Sequence, residues 1–472
     1  MMTQFQLTQI KDSNRNSTDG CHMLTFDTLN ERGLFDERLP RYTSYPPAPA
    51  FHAEIGPDFQ ADALRALDPA EPISLYLHIP FCERLCWFCA CRTQGVRNIA
   101  PIESYLETLR AELVLVAAHL PGKIRLGQMH WGGGTPTILP PALIAEVAKM
   151  LGDVFVIDAQ TDFSVEIDPT MVDAEKIAAL KTAKMTRASI GVQDFAPEVQ
   201  SCIGRLQSFD QTREAVDMLR DAGIQSLNVD LVYGLPFQSP EGFLNTLEKV
   251  SDLTPDRIAL FGYAHVPHIA KRQSLIPEAS LPDDRARFEL FNIATTHLQN
   301  NEMVAIGIDH FAQAHDSMAI AAKTGKLRRN FQGYTVDGCR TLVGLGASSI
   351  SRFEQGFVQN TAQTGDYARR IRAGELPGIR GYKLTSEDQL RGRIIEMLMC
   401  DFAIDFKELA LSDLEYARIS RALEALRAEA EGLFDETAER LFLKPQARPL
   451  VRRLAHFFDT FSPQDASYSR VS

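Results

Sequence analysis

The sequence predicts an α/β protein: a partial, TIM-like (β/α)6 barrel, preceded by an extended N-terminal arm and followed by a mostly helical, winged-helix-like region. Three observations predict it. Between residues 72 and 302 short β-rich runs alternate with amphipathic helical patterns, giving six units. Polar and small residues gather immediately after each run. From Thr385 onward the pattern turns helical. The implied divisions are an arm over 1–70, a barrel with site-closing strands over 71–383, and a C-terminal region over 384–472.

The β-rich runs are ISLYLHI, LGQMHW, FSVEID, RASIGVQ, SLNVDLVYG and IALFGYAHV. Apolar strands that alternate with helices imply a parallel sheet buried on both sides, and six units in series imply an incomplete barrel. One helix shows its period clearly: with Asp210 as N-cap, Ala215, Met218, Leu219 and Ala222 share a face and Gly223 ends the run. Segments starting at Ile102, Pro141, Asp173, Glu241 and Asp283 read the same way. In a parallel barrel the loops that follow the strands converge on one rim. The cysteine loop, WGGGTPT, EIDPT, GVQDF, VYGLP and YAHVP therefore face one cavity. Upstream, LPRYTSYPPAPAF is rich in Pro and Tyr and is neither helix nor strand core. VAIGIDHFA, LRRNFQGYT and LVGLGASSIS read as strands and loops that close the site. Thr385 and Asp388 form a capping pattern, LFDETAERLFL contains a turn, and a last helix runs through LVRRLAHFFDTF.

The chain has 472 residues, 45% hydrophobic and 23% charged, which is ordinary for a globular protein with a substantial core. No apolar run reaches the roughly 18 to 20 residues that cross a bilayer, and the first twenty residues lack the apolar stretch of a secretory signal. The reading is a soluble cytoplasmic protein, in which the sequon at Asn16 has no consequence. A net charge of −12 disfavours nucleic-acid binding, the winged-helix likeness of the tail notwithstanding. A cap or docking role for that tail is favoured.

Four of the eight cysteines fall in FCERLCWFCACRT, spaced Cys82-x3-Cys86-x2-Cys89-x-Cys91. Cys21, Cys202, Cys339 and Cys400 stand alone and read as buried or tolerated thiols. Zinc sites favour two CxxC pairs separated by a longer stretch. Three sulfurs in one short loop after a strand fit three irons of a cubane instead, leaving the fourth iron without a cysteine. A zinc knuckle is the competing reading.

HWGGGTP at 130–136 lacks the Lys-Ser/Thr of a P-loop. A glycine run is often only a tight turn, but beside a cysteine cluster it lets backbone groups approach a ligand closely. Glu166 and Asp230, at or near strand ends, can accept hydrogen bonds from ribose hydroxyls or an ammonium group. Gln193 and Arg205 are suited to recognising a carboxylate.

The cysteine spacing on the loop after the first barrel strand resembles the radical S-adenosylmethionine (SAM) superfamily, in which SAM chelates the open iron. PRYTSYP, YLHIPFC, CACRT, HWGGGTPT, EIDP, GVQDF, NVDLVYGLP, YAHVP, DHFA, RNFQGYT and LGASSIS are, in order and spacing, similar to the oxygen-independent coproporphyrinogen III oxidases, also called dehydrogenases. The likeness covers roughly residues 30 to 472.

The resemblance implies a radical SAM barrel with a 4Fe-4S cluster held by Cys82, Cys86 and Cys89, and two molecules of SAM. Positions matching SAM contacts are Tyr76, Phe88, Gly133, Gly134, Thr135, Glu166, Gln193, Arg205, Asp230, Ala264 and Ile350. Cys91 matches an extra cysteine whose task the spacing does not give, and with Tyr76 it is counted among the catalytic positions. The implied reaction is two oxidative decarboxylations of coproporphyrinogen III to protoporphyrinogen IX in haem biosynthesis. Each begins when a 5'-deoxyadenosyl radical removes hydrogen from a propionate β-carbon. A separate reductant such as a flavodoxin or ferredoxin and a monomeric state are also implied.

A substrate with four propionates on a broad macrocycle calls for cations beside aromatic walls. Arg41 with Tyr42 and Tyr45, and Arg329 with Phe331, Gln332 and Tyr334, have that character. The chain departs from the family pattern at Pro47, Ala90, Gly262 and Ile308, none of them a cluster ligand, and Met23 is an alternative start. Two rivals stand beside this reading. A related haem chaperone typically lacks the fourth clustered cysteine and the PRYTSYP segment, both present here; a paralogue with the full scaffold and little oxidase activity is not distinguished by sequence.

Overall fold

The structure is a computed structural model that describes residues 24–35 and 38–461. Asn16, Cys21 and Met23 lie outside the described residues. Six parallel strands form its centre: β1 (Ile73–Ile79), β2 (Leu126–Gly133), β3 (Asp162–Ile167), β4 (Arg187–Gln193), β5 (Ser226–Tyr233) and β6 (Arg257–Gly262). Between and after them run α1 (Ala100–His119), α2 (Pro141–Val154), α3 (Ala174–Thr182), α4 (Phe209–Asp221), α5 (Pro240–Asp252) and α6 (Asp284–Asn300). The expected β/α alternation is therefore present.

Further strands extend this sheet at both edges. They are β7 (Met303–Ile306), β8 (His310–Gln313), β9 (Leu342–Leu345), β10 (Ile350–Phe353), β11 (Gly356–Asn360) and β12 (Gly378–Lys383). The order is β12-β11-β10-β9-β1-β2-β3-β4-β5-β6-β8-β7, a linear sheet with two free edges and hence an open barrel. β9 pairs with β1 in parallel, so a seventh parallel strand joins the six read from the sequence. LVGLGASSIS supplies β9 and the start of β10, and DHFA supplies β8.

Helix starts follow local chemistry. Asp173, Ser239 and Asp283 each cap a helix by accepting from a backbone N–H two residues into it. Thr385 and Asp388 form the expected capping box at α7 (Ser386–Asp401). The N-cap of α4 is Ser208, not Asp210. Ser208 and Gln211 form a reciprocal box, and the buried face is Thr212, Ala215, Val216 and Leu219, with Met218 at its margin. Two residues before the expected cap, a hydroxyl with Gln at the third helical position satisfies two orphan N–H groups at once, which Asp210 inside the first turn cannot.

One feature of the strands differs from the expectation of apolar strands buried on both faces. β3 alternates throughout between buried and half-exposed residues, and β4 and β5 do so over their first six residues. Phe163, Val165, Ile167, Ala188, Ile190, Leu227, Val229 and Leu231 pack in the main core. Ser164, Glu166, Ser189, Asn228 and Asp230 alternate with them and are half-exposed. The inner face is thus polar and incompletely filled, unlike a barrel packed by layers of branched side chains.

The arm does not pack as an isolated element. Leu29, Leu34, Phe35, Leu39, Tyr42 and Tyr45 share one core with residues of α7, of α8 (Asp413–Glu429) and of the segment ending at Phe458. A three-stranded sheet of Ala403–Asp405, Arg440–Leu443 and Phe434–Glu436 completes the C-terminal region. The last helix is short, Val451–Ala455, flanked by 3-10 turns.

A buried carboxylate fixes the closing strands. Glu112 of α1 is 0% exposed and accepts from Gly346 N–H at 2.8 Å, Tyr367 Oη at 2.6 Å and Asn360 Nδ2 at 3.0 Å. Burial pushes its carboxyl up from the usual 4.5 to about 7, against these donors. The folded chain holds this proton more tightly, so the contribution is full below about pH 4.5 and is lost as pH rises to about 7. Its span is on the order of 3 kcal/mol. Urea midpoints of wild type and Glu112→Gln across pH 4 to 8 should show this decline in the wild type and a flatter profile in the variant; parallel profiles would contradict it.

Candidate active site

β1 delivers the chain to the cysteine loop. Phe81–Cys82 pairs with Gln94–Gly95, so the loop between them is closed at its base. It is held from three directions. From below, Gly134 N–H donates to the Ile79 carbonyl and Thr135 N–H to the Phe81 carbonyl, both at 2.8 Å. From the segment after β4, the Ile203 carbonyl accepts from Trp87 N–H at 2.8 Å and the Leu206 carbonyl from Arg84 at 2.7 Å. From the segment after β6, Gln273 donates to the Phe88 carbonyl at 2.7 Å and Arg272 to Thr93 at 3.0 Å.

The glycine run serves this clamp. A Cβ at Gly134 would lie 2.4 Å from the Phe81 carbonyl oxygen; at Gly133, with φ +112°, 2.5 Å from the His78 ring; and at Gly132, 2.7 Å from Glu166 Oε1. The sequence reading ascribed these glycines to close approach of a ligand. In the structure their missing side chains admit the chain's own neighbours.

Cys82, Cys86 and Cys89 are half-buried or buried, and Cys91 is exposed. Thr135 Oγ1 donates to Cys82 Sγ at 3.7 Å and Arg205 Nη1 to Cys86 Sγ at 3.5 Å. Cys91 N–H lies 3.4 Å from Cys89 Sγ. A hydrogen bond from the Cys91 thiol, helped by Arg272 and Arg205 and opposed by burial, holds the Cys89 thiol below its usual range. Burial pushes Cys82 up to about 11. Among the described residues no group of three or more His, Cys, Asp or Glu converges to hold a single metal ion. Three thiols spread round one clamped loop, with two guanidiniums offsetting their charge, fit a cluster in which each sulfur takes its own iron.

Polar side chains from neighbouring strands face this loop across the open interior. Tyr76 and His130 lie opposite in register and stack with centroids 5.9 Å apart. Tyr76 Oη shares a hydrogen bond with His78 Nδ1 at 3.0 Å. Glu166 accepts from Gly133 N–H at 3.0 Å and pairs with His130 Nε2 at 3.3 Å. Burial would raise its carboxyl, but these bonds hold it below the usual range. Its side chain is nevertheless 41% exposed, so it borders a space that solvent enters. Asp230, bonded to Ser189 at 3.1 Å and Asn228 at 2.7 Å, is pushed up to about 6 by burial and then by Glu166. The two carboxylates thus face one space with their carboxyl groups shifted in opposite directions.

Gln193 has φ +70° at a bulge in the β4–β5 pairing, a rare conformation for a side-chain-bearing residue that re-aims it at the strand end. Arg205 donates to the Gly191 carbonyl at 2.8 Å and pairs with Asp168 at 3.4 Å. Its carboxylate partner is thus internal. Ala264 follows β6, its carbonyl accepting from Gln273 at 3.1 Å, and Ile350 opens β10, half-buried.

The aromatic residues of the arm have internal partners. Tyr42 Oη donates to Asp459 at 3.1 Å, and Tyr45 Oη bonds Thr460 at 3.0 Å; they are 5% and 8% exposed. Arg41 donates to the Gly262 carbonyl at 3.2 Å and accepts, through its own carbonyl, from Arg329 Nε at 3.2 Å. Arg329 is buried, lies 4.2 Å over the Tyr334 ring, and has Nη1 without a partner. Phe331 meets Phe357 edge to face at 5.8 Å, and Gln332 is exposed.

Sequence reasoning missed His78, His130, Gln273 and Arg272. Tyr76 and His78 are two apart on one strand and so share a face, a signal that was available. Gln273 and Arg272 sit in an irregular segment that carries none. A cavity of about 520 Å³ opens at the other end of the strands, lined by residues including Asp162, Arg187, Asp256, Arg257 and Asp316. There each arginine is already paired, Arg187 with Asp162 at 2.9 Å and Arg257 with Asp316 at 2.8 Å. The cysteine end is where the chemistry converges.

Gly134→Ala should displace the cysteine loop. We expect a loss of about 1 to 3 kcal/mol in denaturant unfolding and faster labelling of the clustered thiols. Gly152→Ala, whose Cβ meets nothing within 4 Å, should do neither. Equal behaviour of the two variants would contradict the clamp.

The profile of the Radical SAM superfamily matches residues 76–250. An oxygen-independent coproporphyrinogen III oxidase of Cereibacter sphaeroides is 53% identical over 452 residues, covering 95% of this chain and 100% of that one. One from Escherichia coli is 36% identical, covering 92% and 95%. The solved structure of the Escherichia coli coproporphyrinogen III oxidase, described as a radical SAM enzyme, superimposes with a TM-score of 0.85 at 35% identity, covering 90% of this chain and 100% of that one. By whole-length identity and by fold, the chain belongs to the oxygen-independent coproporphyrinogen III oxidases of the radical SAM superfamily.

Proposed function

We propose that the chain converts coproporphyrinogen III to protoporphyrinogen IX without oxygen, by oxidative decarboxylation of two propionates. The observation that carries this reading is a clamped three-thiol loop facing a polar, solvent-entered interior, in a chain of this family. A 4Fe-4S cluster with SAM supplies, when bound, the one-electron chemistry that lets hydrogen be removed from an unactivated carbon.

The chain's own residues then bind, orient and exclude. Cys82, Cys86 and Cys89 hold the cluster, and Cys91 adjusts Cys89 from beside it. Gly133, Gly134, Thr135 and Glu166, bonded to the cysteine loop or to one another, would receive the methionine part of SAM. Tyr76, Phe88, Gln193, Arg205, Asp230, Ala264 and Ile350 complete the lining for two SAM molecules. Arg205 acts there through Cys86 and the β4 terminus, since its charge is met by Asp168. Arg41 and Arg329 face the macrocycle's carboxylates. Tyr42 and Tyr45 secure the arm to the C-terminal region.

Under this reading the arm (1–70) and the C-terminal region (384–472) are one cover for the barrel (71–383). Their shared apolar core supports it. A cytoplasmic monomer served by a small one-electron reductant is part of the proposal. No helix among the described residues is long and apolar enough to cross a membrane.

The test is anaerobic turnover. After cluster reconstitution, dithionite, SAM and coproporphyrinogen III should yield protoporphyrin on oxidation, with about two 5'-deoxyadenosine per product because each propionate needs its own radical. Cys82→Ser should abolish both. SAM cleavage without vinyl product, from an intact cluster, would favour a paralogue or haem carrier instead.

A further inference from the structure

The short 3-10 helix Lys271–Leu275, between β6 and α6, buries one side chain, that of Gln273, which is 1% exposed. Its amide uses both of its polar atoms. Nε2 donates to the Phe88 carbonyl at 2.7 Å and to the Ala264 carbonyl at 3.1 Å, while Oε1 accepts from Val266 N–H at 2.5 Å. The reverse orientation would set Oε1 against two carbonyl oxygens and Nε2 against an N–H, so the partners fix which way the amide points. The Ala264 carbonyl and Val266 N–H lie on either side of His265, and the amide brackets that residue. Its remaining donor spans to the cysteine loop, at the peptide group that leads into Cys89.

The surroundings hold the two linked segments in place. Trp87 and Phe88 pack against a small buried cluster of Val199, Ile203, Val232, Leu235, Tyr263 and Ile276, the last of which directly follows the short helix. Arg272, adjoining Gln273, donates to Thr93 at 3.0 Å, beyond the last cysteine of the loop. His265 bonds Tyr263 Oη at 2.8 Å and pairs with Glu278 at 3.4 Å, so the turn Ala264–Val266 is held a second time. An apolar side chain of similar volume could fill the space that Gln273 occupies. What the amide adds is direction: it joins two backbone segments that are far apart in the chain, and both joins are buried, where a lost partner is costly.

We propose that Gln273 is a positioning residue that couples the Phe88–Cys89 turn to the Ala264–Val266 turn, so that a cysteine holding the cluster and backbone lining SAM keep one fixed spacing. The assignment rests on the radical SAM reading above, in which Cys89 is a cluster ligand and Ala264 a SAM contact. Gln273 acts through these two backbones.

Two variants separate this role from packing. Gln273→Glu keeps the shape and the acceptor for Val266 N–H but sets a carboxylate against two carbonyls, and Gln273→Met keeps most of the volume and none of the three hydrogen bonds. In cluster-free protein, alkylation of Cys89 should quicken about tenfold in both, with Cys82, which is paired at the base of the loop, changing by less than about twofold. In anaerobically reconstituted protein, both should bind SAM about tenfold or more weakly per loaded cluster, with a diminished SAM-induced change in the paramagnetic resonance spectrum of the reduced cluster. Leu275→Ala, in the same short helix but 58% exposed, should match wild type in each measurement. Gln273→Glu serves if Gln273→Met does not fold. Equal quickening of Cys82 and Cys89, with SAM affinity per cluster within about twofold of a SAM-responsive wild type, is the packing result and would overturn the coupling alone. A wild-type cluster indifferent to SAM would overturn the radical SAM reading and the coupling with it.

Discussion

Two backbone hydrogen bonds, from Gly134 and Thr135 N–H to the Ile79 and Phe81 carbonyls, fix the segment after β2 beneath the loop after β1. Everything at the site is referred to this contact. It demands a residue without a side chain at 134, because a Cβ there would sit 2.4 Å from a carbonyl oxygen. The same segment donates from Gly133 to Glu166 and from Thr135 to Cys82, so cysteine loop, glycine run and carboxylate are tied to one another. Preorganisation of this kind matters where a reacting atom must be held to within a fraction of an ångström.

The second constraint is the unfilled interior. A closed eight-stranded barrel has too little room for two ligands, because its inner side chains fill it. Here the sheet keeps two free edges, and the inner residues of β3 to β5 are polar and half-exposed. The strands are stabilised from outside, by the alternate residues packed under the helices. Toward that side Glu112 ties together the turn after β9, the end of β11 and the helix that carries Tyr367 through three hydrogen bonds, so the opening is braced without being filled.

Much of this was legible in the sequence. The cysteine spacing, the six β/α units, the rim loops and the Thr385 cap are local patterns, and local patterns survive the absence of coordinates. The polar alternation in FSVEID and SLNVDLVYG was equally local, but was read as apolar strand rather than as a two-faced one. What sequence does not carry is long-range partnership. Tyr42 and Tyr45 have a ligand-like composition beside Arg41, yet their hydroxyls meet Asp459 and Thr460 far along the chain. Gln273 and Arg272 hold the cysteine loop from an irregular segment.

The central claim is that this loop carries an iron–sulfur cluster on three cysteines, with the fourth iron open to SAM. Mössbauer and electron paramagnetic resonance spectroscopy of the anaerobically reconstituted chain test it most directly. The account predicts about four iron and four sulfide per chain, and a reduced-cluster signal that changes when SAM is added. It predicts the same in Cys91→Ser and loss of the cluster in Cys89→Ser. A spectroscopically silent zinc site that needs all four cysteines, or a cluster indifferent to SAM, would contradict it.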